Sequence, residues 1–361
     1  MTAPLIAGGR PRIDVDGARA ERLEADLIRL EARADAAGVA SLEAVFLNWG
    51  SRERGQPVDF VHFHRSSIDF GKRLRIAFAV TGQDETVFDG LITGIGASYP
   101  ELRAPELTLL AEDALAGLRY RRRTRLSEGA TDGDIATRIV EAGGLRADVG
   151  RGGASHGQLW QVNEDELGAL RARAGDALLS LRDGTVHLTE ANAGGEAPLR
   201  LTRENDLLRF TVLADLAHQR GEVRVHGYDV AAKEAIHETA GADIARRLAG
   251  GGGGGRLGPE VVGQVFRDAA EDLHLEAPAS CAEARTLAEA AMGRRARRFV
   301  RGAGVTKGTP TLRVGSRVNL VDLGPWFAGT YLLTAVTHRF DQVDGYRTEF
   351  VAERPDLGDD A

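Results

Sequence analysis

The chain has 361 residues, 43% of them hydrophobic and 27% charged, with a formal net charge of −7. This is a soluble globular composition long enough for two or more domains, it contains no run of the ~20 apolar residues a membrane helix needs, and its acidic balance argues against nucleic acid as the main partner. The single cysteine, Cys281, allows no internal disulfide and no thiolate metal site.

The N-terminal segment MTAPLIAGGRPRID has too short an apolar run for a secretory signal, so synthesis in the cytoplasm is expected. PRIDVDG (Pro11 to Gly17) reads as a short strand closed by an Asp-Gly turn. Glu21 to Ala37 carries Leu23, Leu27 and Leu30 at helical spacing, yet its alternation also permits a strand, and both readings stay open. From Val58 the pattern is extended. VDFVHFHR sets Phe60, His62 and His64 on one face, with Val61 and Phe63 on the other. GKRLRIAFAV (Gly71 to Val80), TVFDGLITGI (Thr86 to Ile95) and ELTLLAEDAL (Glu106 to Leu115) follow as strands with glycine turns, which predicts an antiparallel meander or barrel.

The middle of the chain reads differently. Thr131 or Asp132 caps a helix carrying Ile135, Ile139 and Val140 that Gly143 ends. Asn163 is expected to cap a second helix with Leu167, Leu170, Ala174 and Leu178 on one stripe. Leu179 to Leu188 forms a hairpin around Asp183-Gly184. Leu207 to Val230 is strand again. The six glycines Gly250 to Gly255 predict a flexible surface loop, since glycine loses the most backbone entropy on ordering and no phosphate-loop Lys and Ser/Thr follow. Gly258 to His274 and Ser280 to Arg298 read as helices, the second with a Ser280/Glu283 capping box. Pro310 closes the helical region and a final pair of strands follows. The basic runs Arg119 to Arg125 and Arg294 to Arg301 read as solvated or interface faces.

Two segments repeat. GKRLRIAFAV onward matches GSRVNLVDLG onward, with Gly71 on Gly315, Arg73 on Arg317 and Leu74 on Val318. Phe88 and Gly90 then fall on Phe327 and Gly329, and Leu91-Ile92 on Thr330-Tyr331. A duplicated strand unit implies two similar β domains. The expected fold class is α+β: two antiparallel β-barrel-like tube domains with inserted α+β and helical modules. The expected boundaries are 1–115 for the first tube domain and 116–200 for an α+β insert. The second tube domain takes 201–245 and 308–354, a helical insert with the glycine loop takes 246–307, and an acidic tail takes 355–361.

An ordered set of motifs runs through the chain: FDGLI (Phe88 to Ile92), TDGDI (Thr131 to Ile135), QVNEDE (Gln161 to Glu166), VRVHGYDVAAK (Val223 to Lys233), GTPTLRVG (Gly308 to Gly315) and Gly329 to His338. In that order they resemble the phage late control D family, the baseplate hubs of contractile tails, similar to the N-terminal hub part of type VI secretion spike proteins. The resemblance implies a homotrimer whose six β units match a hexameric tail tube on one side and a trimeric spike on the other. It favours strand for Glu21 to Ala37. It implies a tail tube protein, a separate spike protein and other baseplate proteins as partners. No membrane and no specific nucleic acid is implied, and the place is the baseplate of a virion or injection particle. No catalytic, metal or cofactor site is expected.

The chemistry in the sequence agrees with that expectation. His62 and His64 lack an identifiable third ligand. Gly241 stands where the second His of a zinc-protease motif would follow His237-Glu238. Ser155-His156 lacks a nucleophile elbow. The alternative is a tail-associated hydrolase or effector, which needs a convergent catalytic set and would turn over peptidoglycan. The expected tube-facing surface includes Lys72, Arg73, Arg75, Phe88, Arg317, Asn319, Trp326 and Phe327. Trp326-Phe327 is either an exposed anchor or a plug of the barrel end.

Overall fold

The structure is a computed structural model and describes residues 9–51, 57–150, 152–191, 197–250, 255–267, 269–273 and 278–358. The chain begins with β1 (Arg12–Val15) and β2 (Ala18–Arg19), joined by a turn in which Asp16 and Gly17 both have positive φ. The two readings left open for Glu21 to Ala37 are both realised in succession. α1 (Glu21–Asp26) buries Leu23, and β3 (Leu27–Asp35) turns Leu27, Leu30 and Ala32 inward. Pairing on both sides of β3 overrides the helical propensity of its residues. β4 (Ser41–Leu47) follows.

Residues 58 to 72 are not the expected strand. Before Gly71 and Lys72, which bond Ile92, their one ladder contact is the Gly50–Asp59 bridge. Side chains hold the segment instead: the His62 N–H donates to Asn48 Oδ1 at 2.8 Å, and Phe60 stacks on Phe63 at 5.1 Å. Alternation alone cannot make a strand without a partner to take its backbone groups. β5 (Arg73–Val80), β6 (Gln83–Ser98) and β7 (Glu106–Glu112) form the expected meander.

After a 3-10 helix (Ala114–Tyr120) come β8 (Arg122–Thr131), α2 (Asp132–Ala142), β9 (Arg146–Val149), β10 (Ser155–Asp165), α3 (Glu166–Ala174), β11 (Leu178–Arg182) and β12 (Thr185–Thr189). Thr131 and Asp134 make a full capping box on α2. The cap of α3 is Asp165, which accepts from the Gly168 N–H, and Asn163 lies inside β10 with a positive φ. These elements share one core around Ile139, Leu170 and Leu188.

β13 (Leu199–Thr202) and β14 (Leu207–Ala214) return to the main sheet. β15 (Glu222–Asp229), expected in the second tube domain, instead pairs with β16 (Glu234–Ala240) in a separate sheet. α4 (Ala242–Leu248), β17 (Arg256–Leu257) and α5 (Gly258–Val265) come next. Where a helix was expected to run on to His274, β18 (Ala270–Leu273) adds parallel to β15. α6 (Cys281–Arg297) covers this small sheet through Ala284, Ala288 and Met292. Gly251 to Gly254 of the glycine loop lie outside the described residues. β19 (Val300–Lys307), assigned by sequence to the helical insert, is a strand of the main sheet. β20 (Arg317–Val321), α7 (Gly324–Phe327), β21 (Gly329–Asp341), β22 (Gly345–Arg354) and β23 (Asp356–Leu357) complete the chain. β23 pairs with β17, so part of the expected acidic tail is built into the fold.

The fold is mostly antiparallel sheet with inserted helices. Thirteen strands form one sheet, whose path runs β14-β19-β22-β21-β3-β4-β7-β6-β5-β1-β2, with β13 and β20 attached beside β21. Two apolar cores lie on it. One gathers Leu30, Phe46, Ile76, Phe78 and Leu109, the other Leu201, Leu320, Tyr331, Leu333 and Phe350. Tyr346 of β22 stacks on Phe78 at 3.6 Å and so joins the two halves.

Candidate assembly surface

Strands β5-β6-β7-β4-β3 and β20-β21-β22-β19-β14 are connected in the same order. The β bulges coincide as well. β6 shifts register between Ile92 and Gly94, and β21 shifts between Leu333 and Ala335. β3 shifts between Leu27 and Arg29, and β14 shifts between Leu207 and Arg209. The repeat read from sequence is therefore structural. Gly71 and Gly315 are equivalent, each with positive φ and each donating to the inward strand at 2.9 Å, to Ile92 and Leu333. Arg73 and Arg317 are equivalent, facing Leu91 and Leu332. The later part of the sequence alignment was displaced by two residues: Leu91-Ile92 correspond to Leu332-Leu333, not to Thr330-Tyr331.

The residues expected on a tube-facing surface divide accordingly. Arg73 is exposed and bonded to Asp89 at 2.6 Å, and Arg75 donates to Thr86 Oγ1 at 2.9 Å. Lys72 reaches the Ser66 carbonyl and Asp16. Arg317 donates to the Ala191 carbonyl at 3.2 Å, while Asn319 is half-buried. Phe88 is buried in the first core, so it cannot be a contact residue. Trp326 is exposed on α7, whereas Phe327 packs on the second core, so the pair is split between the two roles considered for it.

The two basic runs have a purpose that spacing did not reveal. Arg121, Arg123 and Arg125 surround the buried Glu166, Arg121 Nε at 3.1 Å. Arg297, itself buried, pairs with the buried Glu353 at 3.1 Å. Its η1 nitrogen also donates to the Asp176 carbonyl, tying α6 to β22 and to the first insert. Guanidinium charge around each buried carboxylate offsets part of its desolvation.

Of the histidines flagged by sequence, His62, His156 and His237 are held by neighbours, while the buried Nε2 of His64 has no hydrogen-bond partner among the described residues. His62 lies 2.9 Å from Asp26, and burial lowers its pKa. His156 is buried between Asp132 at 2.8 Å and Glu283 at 3.0 Å, with Arg173 also on Asp132, which clasps the first insert to α6. His237 faces His226 at 2.8 Å. Among the described residues no cluster of three or more His, Cys, Asp or Glu is placed to hold a metal, and no helix is long and apolar enough to cross a membrane. His338 is buried, its Nδ1 lies 2.8 Å from the Tyr346 hydroxyl, and its pKa is pushed down to about 3 by desolvation, with Arg313 adding to the effect.

A family model described as the Alg8 N-terminal domain matches residues 56–342. The chain belongs to that family. The family so matched is not late control D. No curated protein sequence matches the chain. Solved structures share its fold. A 43 kDa tail protein of prophage MuSo2 from Shewanella oneidensis is 13% identical, over 97% of this chain and 99% of that one, with a TM-score of 0.69. The tail protein from Neisseria meningitidis MC58 is 14% identical over 96% of each chain, with a TM-score of 0.63. An E. coli component of the type VI secretion system, itself similar to the T4 bacteriophage tail proteins gp27 and gp5, is 12% identical over 96% of this chain and 77% of that one, at 0.54.

Proposed function

We propose that the chain is a structural baseplate hub of a phage tail or contractile injection system. It would act as a homotrimer joining a hexameric tail tube to a trimeric spike, as the late control D resemblance implies. The observation that carries this reading is the duplicated five-strand unit, with matching order and matching bulges, continuous across one sheet. A threefold assembly can meet a sixfold ring only if each chain presents two equivalent surfaces, and a duplicated unit supplies them. The two tube domains would comprise residues 12–112, and 199–214 with 300–354. The modules between them would brace the ring from outside the sheet. Lys72, Arg73, Arg75, Arg317, Asn319 and Trp326, with Phe327 supporting them from the core, are the proposed tube-facing residues.

The role is assembly and force transmission, with no catalytic step. Averaged electron micrographs of the purified chain, alone and mixed with a trimeric spike protein, test it. Six-lobed rings with threefold symmetry are expected. Featureless monomers in both samples would overturn the reading.

A further inference from the structure

We infer that the free edge of β14 in one copy of the chain pairs antiparallel with the bare half of β6 in a second copy, Thr211 to Asp215 against Gly94 to Ser98. This deepens the hub reading and rests on it for the size of the ring.

The chain already contains the template. The first half of β21 pairs with β20, and its second half, Ala335 to Asp341, pairs on the same side with β3. β6 is the counterpart of β21. Its first half pairs with β5, but among the described residues no strand lies beside its second half. β14 is the counterpart of β3. It pairs with β19 on one side, and its other side ends the sheet. The chain thus presents one half-junction at each end, and each is the complement of the other.

Transferring the register of β3 and β21 through the matched bulges puts Gly94 opposite Asp215, Ile95 opposite Ala214, Gly96 opposite Leu213, Ala97 opposite Val212 and Ser98 opposite Thr211. Backbone polarity agrees. The Ala36 N–H bonds the Thr334 carbonyl in the internal junction, and in β14 the Asp215 N–H turns the other way, to Phe299. By alternation the N–H groups of Val212 and Ala214 face the free edge.

Burial shows what is missing. Val336 and Phe340 are 2% and 6% exposed under β3, while their counterparts Ile95 and Tyr99 are 36% and 65% exposed. Leu30 and Ala32 are buried, while Phe210 and Val212 are only half-buried. Residues 94 to 98 carry no charge, no proline and no other device that keeps a bare edge from pairing. A head-to-tail contact of this kind closes into a ring or runs on as a filament. The hub reading requires closure at three copies.

The test is a disulfide between S98C and T211C in a C281S background. The pair corresponds to a non-hydrogen-bonded pair, with Cα atoms ~4.5 Å apart across the junction. Within one chain the two strands lie seven sheet steps apart, at ~4.8 Å per step, so the bond can form only between copies. Oxidation is expected to give a cross-linked trimer on a non-reducing gel, with neither single-cysteine variant doing so. A214P, which removes an outward N–H, is expected to abolish the trimer while the far-ultraviolet circular dichroism of the folded chain stays unchanged. A trimer by native mass spectrometry that the pair fails to cross-link overturns the inference and leaves the hub reading standing. A chain that is monomeric by mass and uncross-linked overturns both.

Discussion

β3 and β14 occupy the same place in the two repeats and differ in one respect. Both carry a bulge after their first leucine, both alternate apolar residues inward, and both pair with the strand that follows them in the sheet path. β3 is covered by β21 and its inward side chains are buried, while β14 has no strand on its outer side and its inward side chains are half-exposed. The exposure of an edge strand is therefore set by its neighbour and not by its own pattern. A second contrast is electrostatic. Glu353 and Glu112 are equivalent positions, each at the end of the strand that returns along the inner side of its repeat. Glu353 is buried against the buried Arg297, whereas Glu112 meets the exposed Arg119 at 3.1 Å. The repeat copies the backbone, and each insert decides what surrounds it.

Substitutions can break these contrasts. The largest effect is expected at Glu353. E353A strands the buried Arg297 and should cost roughly 3–5 kcal/mol. The matched E112A removes a pair open to solvent and should cost at most about 1 kcal/mol. Denaturant unfolding of both variants reads the difference, and equal losses would sink the idea that the inserts differentiate the repeats. Next is proline at the junction. A34P removes a ladder N–H within the chain and should cost roughly 2–4 kcal/mol, whereas A214P should lose only the stability that association supplies.

A smaller, pH-dependent effect is expected at His338. Its folded pKa lies below the unfolded value, so the unfolded chain takes up the proton first as the pH falls. Its contribution is intact above about pH 6.5 and should be lost progressively as the pH falls below that. Thermal melts of H338Q should lack this part of the acid destabilisation seen in the wild type. The smallest effect on stability belongs to Trp326: W326A should change it by less than about 0.5 kcal/mol. Sedimentation with tail tube protein should nonetheless show weaker association, and unaltered association would remove Trp326 from the interface.

Much of this was legible in the residues. The alternating strands β5, β6 and β7, the Thr131 cap, the Asp183-Gly184 hairpin and the Gly71–Gly315 match all rest on local chemistry: period-two alternation, a side-chain oxygen for a free N–H, and backbone that must take positive φ. The errors arose where local chemistry is silent. VDFVHFHR alternates like a strand but finds no partner. Val223 to Asp229 makes an equally good strand for either sheet, and α6 decides which. Val300 to Lys307 falls by sequence in the helical insert, and the strand it forms carries two glycines. They are needed because the rings of Phe210 and Phe350 lie where their side chains would be, Phe210 over Gly302 and Phe350 over Gly304.

By itself, the sequence determined that the chain is duplicated and where most of its strands and caps lie, because each of these is written in spacing and residue type. The tertiary structure alone decided the two-residue shift of the repeat and the partners of the arginine runs. It also decided which of two matching edges is covered and which is bare, because pairing between distant strands depends on which backbone arrives beside them.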